Sequence, residues 1–148
     1  MQSRLLAREG DARMFVVVLE SGEEALSCLS RFVQEQGVTA AQITAVGAFS
    51  EVVLKYFDYD RKAYREIPVP EQVEVASLIG DVALGPDGQP AIHIHLVVGR
   101  RDGSALAGHL GSGKVRPTLE VMIHEAPVCL QKVHDPQTGL ALIRPQAG

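Results

Sequence analysis

The sequence predicts an α+β domain: a mainly antiparallel sheet of about seven strands with one long amphipathic helix packed on it. Three observations carry this. A single segment has apolar residues at helical spacing, and it lies near the start. After it come short runs of β-branched and apolar residues, many alternating with polar ones. The connections between those runs are short and rich in Gly, Pro and Asp, which favours antiparallel neighbours over parallel ones that need a crossover. The length of 148 residues fits one domain, residues 1–148 with a core over about 11–143, and the 46% apolar and 22% charged residues are an ordinary globular mix.

Residues 13–20 (RMFVVVLE) form an apolar first strand. Ser21-x-x-Glu24 then spells a capping box that starts a helix over residues 22–36. Its buried stripe is Ala25, Leu26, Cys28, Leu29, Phe32 and Val33, and Gly37 is its stop. Strands follow over Ile43–Asp58, Ala63–Val69, Val73–Leu84, Ala91–Arg100, Val115–His124, Val128–His134 and Leu140–Ile143. Ser104–Leu110 forms the return arm of a hairpin with Ala91–Arg100, about the turn Asp102-Gly103.

Charge and cysteine content narrow the function. Fourteen basic against eighteen acidic residues give a net charge of −4, and basic residues come at most in pairs. A nucleic-acid binder usually displays a basic stripe. Cys28 and Cys129 form no Cys-x-x-Cys pair and fit reduced thiols, with Cys28 in the core. There is no apolar leader and no run of about 18 uncharged apolar residues, so a cytoplasmic location and no membrane contact are expected.

His93-Ile94-His95 is the first place for chemistry. In a strand, Ile92, Ile94, Leu96 and Val98 share the core face, while His93, His95 and Val97 share the other. Two imidazoles so placed, about 7 Å apart at their bases, can converge on one metal ion. Counting from the Asp102-Gly103 turn sets His109 almost opposite His95. Three imidazoles with an open position are the donor set of a catalytic-type zinc site. Glu120 lies on the polar face of Val115–His124 and is a candidate general base or hydrogen-bond partner of the histidines. Glu74 is similarly ambiguous, and His124 and His134 are expected on the surface. Gly108–Lys114 spells Gly-x-x-x-x-Gly-Lys, but Val115 replaces the Ser or Thr of a P-loop and a strand follows instead of a helix. Its glycines suit a tight turn or a close approach of subunits. No Gly-x-Ser-x-Gly elbow supports serine-hydrolase chemistry.

Taken together, Ile92-His93-Ile94-His95-Leu96, Asp102-Gly103, Gly108-His109-Leu110, Val115 and Thr118-Leu119-Glu120-Val121 resemble the signature of the PPC domain, the plants-and-prokaryotes conserved domain. Ala45–Ser50 and Val73–Gly80 are similar to further segments of that family, and the likeness covers about residues 11–143. The resemblance implies a homotrimer. It also implies a divalent metal, zinc, on His93, His95 and His109, with Glu120, Thr118 and Gly108 near the metal or its ligand. Ala107 stands where the family often has Gly. The stand-alone bacterial form carries a DNA-binding label, but this chain has no Arg-Gly-Arg-Pro hook, which weighs against DNA. Three functions follow as expectations: a trimeric binding or regulatory module whose metal is structural or binds a small molecule, a zinc-dependent hydrolase or lyase on a small molecule, and a DNA-binding protein.

Overall fold

The computed structural model describes residues 1–145. Nine strands and one helix run in the order β1 (Gln2–Glu9), β2 (Ala12–Glu20), α1 (Ala25–Gln36), β3 (Ala40–Asp58), β4 (Ala63–Val69), β5 (Val73–Leu84), β6 (Pro90–Gly99), β7 (Ala105–Glu125), β8 (Lys132–His134) and β9 (Ala141–Ile143). The first seven make one sheet, ordered β1-β2-β7-β6-β5-β3-β4, with every pair antiparallel. β3 and β7 also pair with each other along most of their length, which closes the sheet on itself. β8 and β9 form a separate small hairpin.

The alternation decides which side chains are buried. Ile94, Leu96 and Val98 of β6 are buried, as are Leu119, Val121 and Ile123 of β7. They pack with Phe15, Val17 and Leu19 of β2 and with Ala25, Leu29, Phe32 and Val33 of α1 in one apolar cluster. Fully burying side chains of this size contributes roughly 1.5–3 kcal/mol each. His93, His95 and Val97 are thereby turned to the opposite, open face, as the period of two requires. The expected core position of Cys28 is also found. Among the described residues, no helix is long and apolar enough to cross a membrane.

Three expectations need correction. The helix begins at Ala25, and its N-cap is Glu24, not Ser21. The Glu24 carboxylate accepts from the backbone N–H groups of Leu26 and Ser27 and from that of Gly113 in β7. Ser21 is taken up by the preceding turn, and its hydroxyl donates to the carbonyl of Pro117. Next, Ser104–Leu110 and Val115–His124 are not separate strands but the two halves of β7, a single strand of 21 residues. The intervening glycines serve no turn. A Cβ on Gly108 would lie 2.9 Å from the carbonyl of Lys55, and one on Gly113 would lie 2.9 Å from the Phe49 ring. They let β7 press against β3 within the chain. Finally, the strand expected at Val128–His134 shrinks to β8, while Gln2–Glu9, given no element from the sequence, pairs with β2 as an edge strand with all eight residues exposed.

A three-histidine cluster at the edge of an aromatic cavity

Strand pairing assembles the cluster. His95 of β6 and His109 of β7 are direct partners across the ladder, as the count from the turn expects. Lys55 of β3 is the partner of His109 on its other side, so Lys55, His109 and His95 stand in one row on the open face. His93 sits one pleat along from His95 and leans into the same space. Its Nε2 is 3.1 Å from His109 Nδ1 and 3.2 Å from His95 Nε2. One ring nitrogen from each residue lies within 4.8 Å of the other two. Nitrogens bound tetrahedrally at about 2.0–2.1 Å from zinc would stand roughly 3.3–3.4 Å apart, so the donor set and its spacing fit such an ion.

His93 is held by a residue the sequence reading passed over. Asp81 of β5 is its cross-strand partner, and Asp81 Oδ2 lies 3.2 Å from His93 Nδ1. A proton on Nδ1 donated to that carboxylate leaves Nε2 free to face the other imidazoles, which is how carboxylates orient metal-binding histidines. The other oxygen, Oδ1, makes an ion pair with Lys132 Nζ of β8 at 2.8 Å. Lys132 is the one buried charged residue among those described. Burial alone would push the Asp81 carboxyl up. The hydrogen bond with His93 and the Lys132 ammonium outweigh it and hold Asp81 below its ordinary value.

The cluster disfavours protons on His95 and His109. Burial pushes His109 down to about 4, helped by the adjacent His95 and His93. His95 is lowered by burial and then by His93. Neutral imidazoles are the form a metal takes.

The cluster borders a cavity of about 840 Å³. Tyr64 meets the His109 ring edge to face at 5.0 Å, and Phe57 meets Tyr64 at 5.1 Å, so an aromatic wall runs away from the histidines. Burial raises the Tyr64 phenol, which keeps its proton as a donor. The β8–β9 hairpin supplies Lys132, Ala141, Leu142 and Ile143 to the lining.

The other expected site residues fall differently. Gly108 lines the cavity next to His109, but its close contact is with β3. Glu120 and Thr118 are not brought to the histidines within the chain. They lie in the far half of β7, paired with Val18 and Glu20 of β2, and neither lines the cavity. Across the closed sheet, the pairings Val46–Glu120, Ala45–Leu78 and Ile79–His95 put three strand spacings, roughly 14 Å, between Glu120 and His95. Only Asp81 among the described carboxylates contacts the cluster. Glu74, His124 and His134 are exposed and outside the cavity. Counting outward from the Gly85–Gly88 turn pairs Leu84 with Pro90 and Asp81 with His93, so the sequence did hold a signal for Asp81. Nothing local marked Lys132 or Tyr64.

A three-histidine cluster on a self-closing antiparallel sheet defines the class of protein, and comparison gives the family. The profile of the Plants and Prokaryotes Conserved (PCC) domain matches residues 7–127, and the chain belongs to that family. Among solved structures, the metal-containing protein of Archaeoglobus fulgidus is 33% identical, with a TM-score of 0.82 over 89% of this chain and 93% of that one. A plant- and prokaryote-conserved protein of Pyrococcus horikoshii is 28% identical, with a TM-score of 0.84 over 99% and 96% of the two chains. A candidate DNA-binding protein of Bacteroides thetaiotaomicron is 27% identical, with a TM-score of 0.84 over 96% of each chain. The chain also matches the bifunctional protein GlmU of a Synechococcus strain, at 29% identity over 133 residues; that is 88% of this chain but only a fifth, 20%, of the relative.

Proposed function

We propose that this chain is a homotrimeric binding or regulatory module of the PCC family, one domain with its core over about 11–143, holding a divalent metal, zinc, on His93, His95 and His109. The observation that carries this is the convergence of one nitrogen from each imidazole within 4.8 Å. His93 is already oriented by Asp81, and the metal-containing A. fulgidus relative supports the reading. The trimer is supported by the open sheet face beside the histidines, where Val46, Ile79 and Val97 are 57%, 56% and 37% exposed, apolar surface that a neighbouring subunit would cover. The net charge of −4 weighs against DNA as the main partner, although the B. thetaiotaomicron relative is named for it.

A second reading, a zinc-dependent hydrolase or lyase, is favoured by the cavity beside the cluster. Zinc bound there would supply a Lewis acid and a water of lowered pKa. The chain's own part would be to disfavour protons on His95 and His109, to orient His93 through Asp81, and to wall the site with Phe57 and Tyr64. Glu120 lies three strand spacings from His95, roughly 14 Å, too far to serve as base within one chain, so a proton acceptor must come from elsewhere.

Elemental mass spectrometry of untagged protein, paired with light scattering, tests the first reading. About one zinc per chain and a mass three times 15.9 kDa are expected. A monomer without metal after zinc addition would overturn it. Turnover that survives intact in His109→Ala would remove the enzyme reading for this site.

A further inference from the structure

The cavity has a charge balance and a wall chemistry that together define what it would hold. Its charged lining residues besides the histidines are Lys55, Lys132 and Asp81. Asp81 is spent: one oxygen faces His93 and the other faces Lys132. Those two opposite charges cancel. Neutral imidazoles cannot offset a divalent ion, so its charge stays uncompensated in the cavity. Lys55 adds to it. Its only partner among the described residues is Glu66, an exposed carboxylate 3.4 Å away, and such surface pairs are worth little. Lys55 also stands directly across the ladder from His109, on the same face. A cation beside a cation site is costly unless an anion bridges the two.

The remaining wall is apolar and flat. Phe57 and Tyr64 stack edge to face toward His109, and Leu142 also lines the cavity while remaining 38% exposed. Tyr56, Tyr59 and Tyr64 are 62%, 68% and 44% exposed and line the same space. Large apolar side chains gathered around one opening mark a ligand groove more than they mark a solvated surface. A single ammonium suits a carboxylate. No arginine fork and no helix N-terminus lines this cavity, and Lys132 is already paired with Asp81, so the one ammonium left beside the metal matches the single charge of a carboxylate better than a phosphate dianion.

We propose that the cavity takes a small organic carboxylate with a flat apolar body, its carboxylate set between the histidine-bound metal and the Lys55 ammonium, its body against Phe57 and Tyr64. This rests on the reading of His93, His95 and His109 as a metal site and adds the class of ligand.

Benzoate is the probe, titrated by calorimetry into the zinc-loaded full chain whose zinc content is measured on the same sample. Benzoate is expected to bind, benzamide is not expected to displace it, and acetate is expected to bind about tenfold more weakly or worse. Lys55→Gln is expected to weaken benzoate by about tenfold or more, since it removes a charged partner of the carboxylate, while zinc content holds and Lys55→Arg restores most of the loss. Should Lys55→Gln fail to fold, Tyr64→Ala gives an independent reading: benzoate weakens and acetate does not. A protein that takes up no zinc overturns the metal reading and this proposal with it. A zinc-loaded protein that ignores benzoate, treats benzamide as its equal, or is unmoved by Lys55→Gln and Tyr64→Ala overturns the ligand proposal alone.

Discussion

At the scale of single residues, Asp81 and Gly47 make the sharpest claims. Asp81 fixes which nitrogen of His93 points into the cluster. Asp81→Asn keeps the size but loses the charge, and metal affinity is expected to fall roughly 10–100-fold. Competition against a chelator of known affinity measures this, and an unchanged affinity would mean His93 needs no orienting partner. Gly47 sits at φ +151°, and a Cβ there would lie 2.3 Å from the carbonyl of Thr118. Gly47→Ala therefore forces β3 away from β7, and a loss of about 2 kcal/mol or more in urea unfolding is expected. The three histidines were legible in the sequence because strand period and one turn count fix them. Asp81 needed a second hairpin count. Tyr64 was not legible because the β3–β4 hairpin reaches His109 only through the long-range pairing of β3 with β7, and Lys132 because the place of β8 is set by tertiary packing.

At the scale of elements, the helix start shows how one residue can serve two structures. Glu24 caps α1 and also accepts from the Gly113 N–H of β7. Glu24→Ala is expected to cost about 1 kcal/mol for the cap and more for the stranded amide, measured as a shift in thermal midpoint. A neutral result would show the cap replaced by solvent. The sequence motif pointed to the right residues but gave them the wrong roles, since Ser21 is drawn into the turn toward Pro117. The strands bounded by clear turn or cap signals, β2 and β4 to β6, were legible to within a residue or two. β7 was not read as one strand, because glycines that normally signal turns here permit the close approach of β3. β1 was missed for a different reason: every residue in it is exposed, so burial imposes no pattern on its sequence.

At the scale of the whole molecule, acid response follows from the cluster. His109 is held down to about 4 in the folded chain by burial and by its two neighbours, against roughly 6.5 when unfolded. Between those values the unfolded chain binds a proton that the folded chain refuses, so metal-free protein loses stability as pH falls from about 6.5 to about 4. His95 is lowered too and adds in the same direction. Asp81, also lowered, contributes stability that is lost only at more acidic pH. Thermal midpoints of chelated protein across that window check this, and His109→Gln is expected to flatten the slope. A flat profile in the unaltered chain would contradict the packing of the three rings. The most direct test of the central claim is X-ray absorption at the zinc edge on untagged, zinc-loaded protein. Three imidazole nitrogens at about 2.0 Å with the multiple scattering of their rings are expected, as is the loss of that signature in His109→Ala. A spectrum of sulfur ligands, or of zinc surrounded by water alone, would contradict that claim.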